Sequence, residues 1–136
     1  MSAQGNFVTV LGCMDGRCQA KTVIFAKKLF KAQHVDTITE PGMDKVLAGG
    51  AHAVADKEFL PHLRKWIKRK ALISAKGHGS KHVLITGHMS CAGNPVSYEE
   101  HIAHLTAAKK SVGKWKLFEK IHVAVFDEKW MLKALM

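Results

Sequence analysis

The sequence predicts an α/β fold: a single domain with a mostly parallel four-stranded sheet and helices on both faces. Short β-branched runs alternate with helical patterns along the 136 residues. Strands separated by helices pair in parallel through right-handed crossovers. The strands are nearly continuous apolar runs, as expected for a sheet that is covered on both sides. No internal repeat or low-complexity linker interrupts the pattern, so we expect one domain over residues 1–136.

The first half of the chain supplies two strands and two helical segments. Residues 7–11 are a β-branched run that predicts the first strand, and residues 35–39 predict the second. Pro41-Gly42 stops the second strand. Residues 19–31 between them predict a helix that buries Val23, Phe25, Ala26, Leu29 and Phe30. Residues 43–55 are predicted to be partly helical.

The second half continues the alternation. Residues 56–75 predict a longer helix, because Phe59, Leu63 and Ile67 recur at a spacing of four and Pro61 falls in the first turn. Residues 82–86 predict the third strand. Ser97 and Glu100 form a capping box that starts a helix reaching about residue 111. Residues 121–126 predict the fourth strand, and residues 130–136 predict a short closing helix. We expect the strand order 2-1-3-4.

Composition excludes several classes of protein. The chain is 47% hydrophobic and 24% charged, which is typical of a globular domain. It has no apolar run of about 18 residues, so we expect no membrane span. The sequence shows no secretory signal, and its three cysteines are too few for a disulfide scaffold. We therefore expect a cytoplasmic protein with free thiols.

The net charge is the unusual bulk property. Twenty-one Lys and Arg against eleven Asp and Glu give a formal charge of +10. A basic surface attracts anions such as nucleic acid, phosphate or bicarbonate, but the charge by itself does not choose among them. A lysine-rich solvated surface explains the same number.

Two motifs directly follow predicted strands. Residues 13–17 read Cys-Met-Asp-Gly-Arg after the first strand, and residues 87–95 contain Gly-His-Met-Ser-Cys after the third. With strand order 2-1-3-4, the order reverses between strands one and three. Ligand sites of open α/β sheets form at this switch point. We therefore expect Cys13, His88 and Cys91 to converge.

Thiolate and imidazole ligands together suit zinc. Three protein ligands leave a fourth position for water, which is the arrangement of catalytic zinc sites. Packing of Cys13 as a small buried hydrophobe and a redox pair of Cys13 with Cys91 are the alternatives. Cys18, at the start of a helix, is expected to be inert.

The motif pair resembles the β-class carbonic anhydrases, in which Cys-x-Asp-x-Arg and a distant Gly-His-x-x-Cys each follow a parallel strand. The resemblance implies a single zinc domain with Cys13, His88 and Cys91 as ligands. It further implies that a zinc-bound hydroxide hydrates CO2 reversibly to bicarbonate. Asp15 would accept a hydrogen bond near the zinc-bound water or occupy the fourth position itself. The resemblance also implies a homodimer or a higher homo-oligomer.

Arg17 can hold Asp15 with its planar fork, which keeps the carboxylate ionised and aimed. A plain salt bridge in the loop is the alternative. Glu40, at the end of strand two, could act as a base or contact Arg17, although a turn carboxylate is the simpler interpretation. His101 could relay protons, and its spacing to His104 could hold a metal.

The chain departs from the family pattern around the substrate pocket. Ala92 precedes Gly93 after the second cysteine, and residues 40–44 replace an Arg-Asn-Ala-Gly type loop. Strand one is predicted almost at the first residue, so we do not expect the helices that usually precede this strand in the family. The metal motif itself is intact. We therefore predict a short, divergent member that acts on CO2 and bicarbonate or on a related small substrate.

Three alternatives stay open. The chain could be a zinc hydrolase of a small relative of CO2, or a non-catalytic zinc protein in which Asp15 closes the site. It could also be a basic module for anions or nucleic acid, for which the helix segment 64–70 is the best candidate. That segment has charge and one aromatic side chain but no recognition motif, so we do not expect nucleic-acid binding.

Overall fold

The structure is a computed structural model that describes residues 5–50 and 57–135. One sheet contains β1 (Phe7–Gly12), β2 (His34–Thr39), β3 (His82–His88), β4 (Lys120–Phe126) and β5 (Leu132–Leu135). Its strand order is β2-β1-β3-β4-β5. The first four strands are parallel and β5 is antiparallel to β4. The predicted mostly parallel α/β fold and the order 2-1-3-4 are therefore confirmed, with a fifth strand added.

The helices lie where the apolar periodicity places them. They are α1 (Gln19–Phe30), α2 (Met43–Ala48), α3 (Leu60–Leu72) and α4 (Tyr98–Gly113). A 3₁₀ turn (Lys57–Phe59) precedes α3, and a π-helical turn (Ile73–Gly77) follows it. The prediction for residues 43–55 is confirmed as far as α2 extends, but residues 51–56 lie outside the described part of the chain. No helix that the structure describes has the length and apolar character that a bilayer crossing needs.

Helices cover both faces of the sheet, as predicted. Alternate strand residues such as Val10 and Leu84 pack toward α1 with Ala26. Their neighbours, such as Leu11 and Ile85, pack toward α2, α3 and α4. Because successive side chains of a strand point to opposite faces, this double coverage requires the continuous apolar runs of β1 and β3.

The prediction of a closing helix over residues 130–136 is wrong for residues 130–135, and residue 136 lies outside the described part of the chain. Residues 132–135 form β5, whose register pairs Leu132 with Phe126 and Leu135 with Val123. A segment this short gains little stability as an isolated helix. Without β5, the edge of β4 would leave a row of backbone N–H and C=O groups unpaired, and β5 forms hydrogen bonds with them.

Two predicted buried faces are corrected in part. Leu63 and Ile67 of α3 are buried, whereas the side chain of Phe59 is 56% exposed because it belongs to the 3₁₀ turn before the helix. In α1 only Ala26 of the predicted set is fully buried, and Leu29 is 37% exposed. One short helix face against a twisted sheet buries a narrower stripe than the periodicity suggests.

The start of α4 is capped as predicted. The backbone N–H of Glu100 donates to the Ser97 hydroxyl at 3.2 Å, and that hydroxyl donates to the Glu100 carboxylate at 3.3 Å. We expect Ser97→Ala to lower the free energy of unfolding by about 1 kcal/mol, measured by urea denaturation. Ser111→Ala, inside the same helix, should be neutral or slightly stabilising. Equal effects of the two substitutions would contradict the capping role.

Candidate metal centre

Two loops meet at the carboxyl end of the sheet. Cys13 directly follows β1, His88 is the last residue of β3, and Cys91 lies three residues further on. β1 and β3 are neighbours, and the strand order reverses between them. Parallel pairing therefore brings together three side chains that are distant in the sequence.

The ligand atoms of Cys13, His88 and Cys91 all lie within 4.8 Å of one another. In the described ranges, this is the only group of His, Cys, Asp or Glu with such geometry. The two Sγ atoms are 3.9 Å apart, and both cysteines are free thiols. Two sulfurs about 2.3 Å from one tetrahedral zinc ion would be about 3.8 Å apart, so the spacing fits a shared metal. It also excludes a disulfide in this conformation, because a disulfide requires about 2.05 Å.

The orientation of His88 also suits a metal. Its Nδ1 lies 2.7 Å from the carbonyl oxygen of Met89. A carbonyl can only accept, so Nδ1 carries the proton and Nε2 presents a lone pair. That Nε2 atom is buried and, among the described residues, has no hydrogen-bond partner. A buried nitrogen without a partner is costly, and a metal ion would satisfy it.

The two neighbouring sulfurs shift each other's pKa in opposite directions. The pKa of Cys13 is lowered to about 4, mainly because the Cys91 thiol donates a hydrogen bond to it, with further help from His88 and the Gly42 backbone. The pKa of Cys91 is raised by the same pairing and by burial. Burial would lower the pKa of His88, but the neighbouring Cys13 and the Met89 carbonyl raise it overall. Zinc binds cysteine as the thiolate, so metal binding would release the protons that the two thiols carry.

Asp15 and Arg17 form a tight pair beside the cluster. Arg17 donates from Nε to Oδ1 at 3.0 Å and from Nη2 to Oδ2 at 2.6 Å, and its backbone N–H donates to Oδ1 at 2.9 Å. These bonds to Arg17 lower the pKa of Asp15 to about 2. Oδ2 of Asp15 lies 3.9 Å from Nε2 of His88. The carboxylate is therefore ionised and stands next to the three ligand atoms.

Trp130 holds the outer side of this pair. The guanidinium carbon of Arg17 lies 4.3 Å from the centre of the Trp130 ring, and that ring is 5.5 Å from the His88 ring. Trp130 has a left-handed backbone with φ 59°, which is strained for a bulky residue. Asp127 imposes this turn, because its side chain accepts the backbone N–H groups of Lys129 and Met131. Strain of this kind concentrates at functional sites.

The other candidate residues from the sequence do not join the cluster. Cys18 is buried outside it, and burial raises its pKa to about 12, consistent with an inert thiol. Glu40 lines a groove on α3 together with Phe59 and Trp66. Met43 is fully buried in the core, while Met89 lines an open groove of about 510 Å³.

His101, which the sequence suggested as a proton relay, is fully buried and has no contact with solvent. Its Nδ1 lies 2.6 Å from Oδ2 of Asp44, a residue to which the sequence analysis assigned no role. Asn94, also without an assigned role, donates to Oδ1 of Asp44 at 3.1 Å. Nδ1 of His104 lies 2.9 Å from the side-chain nitrogen of Asn94, so the two histidines contact different members of this group. One signal was present in the sequence: Asp44 and Asn94 both follow strands that end at the same edge of the sheet.

The basic segment of α3 lies on the surface. Lys65, Lys68 and Lys70 are exposed, and the Arg69 guanidinium lies 5.9 Å from the centre of the exposed Trp66 ring. These side chains form a solvated helix face. It adds no further element of a nucleic-acid recognition motif.

The fold and the cluster together define an α/β protein with a metal-site arrangement of two cysteines and one histidine at its switch point. Residues 3–136 match the model of a protein family described as "Putative carbonic anhydrase". The chain therefore belongs to this carbonic anhydrase family, which confirms the resemblance that its motifs indicate. No curated protein sequence matches the chain at a significant level.

Solved structures of β-carbonic anhydrases are similar to this chain. Isoform I from the protozoan Trichomonas vaginalis is 16% identical, with a TM-score of 0.57, and the match covers 95% of this chain and 81% of that one. The enzyme of the fungal pathogen Aspergillus fumigatus is also 16% identical, with a TM-score of 0.44, covering 93% and 74%. The first comparison shows that this chain has a β-carbonic-anhydrase-like fold.

Proposed function

We propose that this carbonic anhydrase-like protein binds one zinc ion through Cys13, His88 and Cys91 and catalyses the reversible hydration of CO2 to bicarbonate. The observation that carries the proposal is the convergence of two sulfurs and the free Nε2 lone pair of His88 on one point. Zinc at such a point supplies a Lewis acid that makes a water molecule nucleophilic near neutral pH.

Asp15 and Arg17 would direct the reaction. Asp15, next to the ligand atoms, would accept a hydrogen bond from the attacking water and so aim its lone pair at the carbon of CO2. Arg17 keeps this carboxylate ionised and fixed through its two-point contact. The positive surface would draw bicarbonate toward the protein.

The Asp15–Arg17 contact favours an active site over a closed one. Both carboxylate oxygens accept hydrogen bonds from Arg17, and Asp15 does not belong to the ligand cluster itself. To close the coordination sphere, Asp15 would have to give up part of this pairing. We therefore rank the catalytic function above a non-catalytic zinc protein with Asp15 as fourth ligand.

We also propose that residues 1–136 act as one zinc domain in a reducing compartment such as the cytoplasm. Its three free cysteines, two of them in the cluster, support this compartment. Assembly as a homodimer rests on the family resemblance alone. Sedimentation of the purified protein tests the assembly directly.

Metal analysis and stopped-flow CO2 hydration test the function together. We expect about one zinc per chain and a hydration rate above the buffer rate that increases from pH 7 to 9 as the bound water ionises. Protein that is folded, free of zinc and unable to take it up would contradict zinc binding. Zinc-loaded protein with only the buffer rate would contradict CO2 hydration and favour the hydrolase or the non-catalytic alternative.

A further inference from the structure

A buried polar network lies behind the metal cluster. Asp44 is 1% exposed and His101 is fully buried, and the two are joined by the 2.6 Å contact between Oδ2 and Nδ1. The other carboxylate oxygen of Asp44 accepts from the side chain of Asn94 at 3.1 Å and from the backbone N–H of Lys45 at 3.0 Å. The network thus joins α2, the loop of Cys91 and α4.

Burial of such a network costs desolvation free energy, which packing alone does not require. A buried carboxylate loses its hydration and is tolerated only with several good partners. In the part of the chain that the structure describes, Nε2 of His101 and Oδ1 of Asn94 are buried without any hydrogen-bond partner. Apolar side chains of similar size would avoid this cost. The presence of the network therefore indicates a role other than stabilising the fold.

The network touches the backbone next to the candidate ligands. A Cβ atom added to Gly87, the residue before His88, would lie 2.7 Å from Oδ2 of Asp44. The backbone N–H of Asn94 donates to the carbonyl of Cys91 at 3.3 Å. Asp44 therefore lies against the strand end that carries His88 and, through Asn94, holds the loop that carries Cys91.

A second contact locks the same loop to the turn before α2. A Cβ atom at Gly42 would lie 2.8 Å from the carbonyl carbon of Gly93, and one at Gly93 would lie 2.6 Å from the nitrogen of Gly42. This close backbone approach leaves no space for a side chain on either residue. The amide of Gly42 also interacts with the sulfur of Cys13. The turn before α2 and the Cys91 loop are therefore packed backbone against backbone.

We infer that Asp44, held by His101, is a positioning residue for the metal centre and acts through Asn94 on the loop that aims Cys91. The inference rests on the proposed function, because it requires the cluster to bind a metal. Groups that orient metal ligands from behind commonly change metal affinity by about 10–100-fold when they are removed.

The test measures cobalt and zinc affinity by competition with a chelator, together with the sulfur-to-cobalt charge-transfer absorption. Asn94→Ala removes the link and leaves the Asp44–His101 pair intact. Asp44→Asn replaces the carboxylate by a neutral amide of nearly the same shape. His101 can keep its hydrogen bond to this amide by changing its tautomer, so we expect the variant to fold. Ser80→Ala is the control: it removes a different buried polar group, the Ser80 hydroxyl, which contacts Thr9 and precedes β3. Urea denaturation gives the stability of each variant.

We expect Asn94→Ala to lower metal affinity by about 10–100-fold and to change the cobalt absorption, with a smaller effect of Asp44→Asn. Ser80→Ala should lose stability without either change. In the Asn94→Ala background, Asp44→Asn should have little further effect on metal affinity, because the link is already gone. Wild-type affinity in both single variants, or strictly additive effects, would overturn the inference. Failure of the unmodified protein to bind either metal would overturn the proposed function and this inference with it.

Discussion

Replacement of Cys91 by serine is expected to abolish zinc binding, so that the zinc content falls from about one per chain to near zero and CO2 hydration falls to the buffer rate. A serine hydroxyl stays neutral near neutral pH and is a poor zinc ligand, whereas the cysteine thiolate supplies both a negative charge and a soft sulfur donor. The loss should exceed the approximately 10–100-fold typical of a group that only supports a ligand. Metal analysis after dialysis against a weak chelator measures it.

Cys18→Ser is the matched control. Cys18 is a buried thiol like Cys91, being 3% exposed, and it lies outside the cluster. We expect the Cys18 variant to keep its zinc and its activity after a small loss of stability. A Cys91→Ser protein that retains a full equivalent of tightly bound zinc would show that the metal is held elsewhere.

Asp15→Asn is expected to keep the zinc and to lower the hydration rate by about 100-fold or more. The amide is neutral and cannot hold the attacking water as strongly, and a positioned acid–base group typically contributes a factor of about 10²–10⁴. Arg17→Lys should cost less, about 10-fold, because lysine keeps the charge but loses the planar fork that contacts both oxygens. Stopped-flow rates normalised to zinc content measure both effects.

Arg69→Lys provides a control for the arginine substitution. Arg69 also lies over a tryptophan ring, but on the exposed face of α3, and it does not contact Asp15 in the way that Arg17 does. Its replacement should leave the rate and the zinc content unchanged. An unchanged hydration rate in zinc-loaded Asp15→Asn would show that Asp15 takes no part in the reaction. Loss of zinc from this variant would show instead that Asp15 is a metal ligand.

The candidate metal site was predictable because it depends on strand ends. Cys13 and His88 each stand at the end of an apolar run, and parallel pairing of β1 with β3 is enough to bring them together. Arg17 lies two residues from Asp15, so the sequence also indicated their contact. The pairing of Asp44 with His101 was not predicted, because the two residues are 57 positions apart and the spacing of His101 to His104 indicated a different partner.

The sequence by itself determined the α/β alternation, the order of the parallel strands and the edge at which two cysteines and a histidine meet. All three follow from local periodicity and from the rule that parallel strands end on the same side. Only the tertiary structure decided that residues 132–135 form a strand, that Trp130 covers Arg17 and that Asp44 lies buried behind the cluster. Each of these depends on a partner distant in the chain, such as an open sheet edge or a buried imidazole, whose position no local pattern encodes.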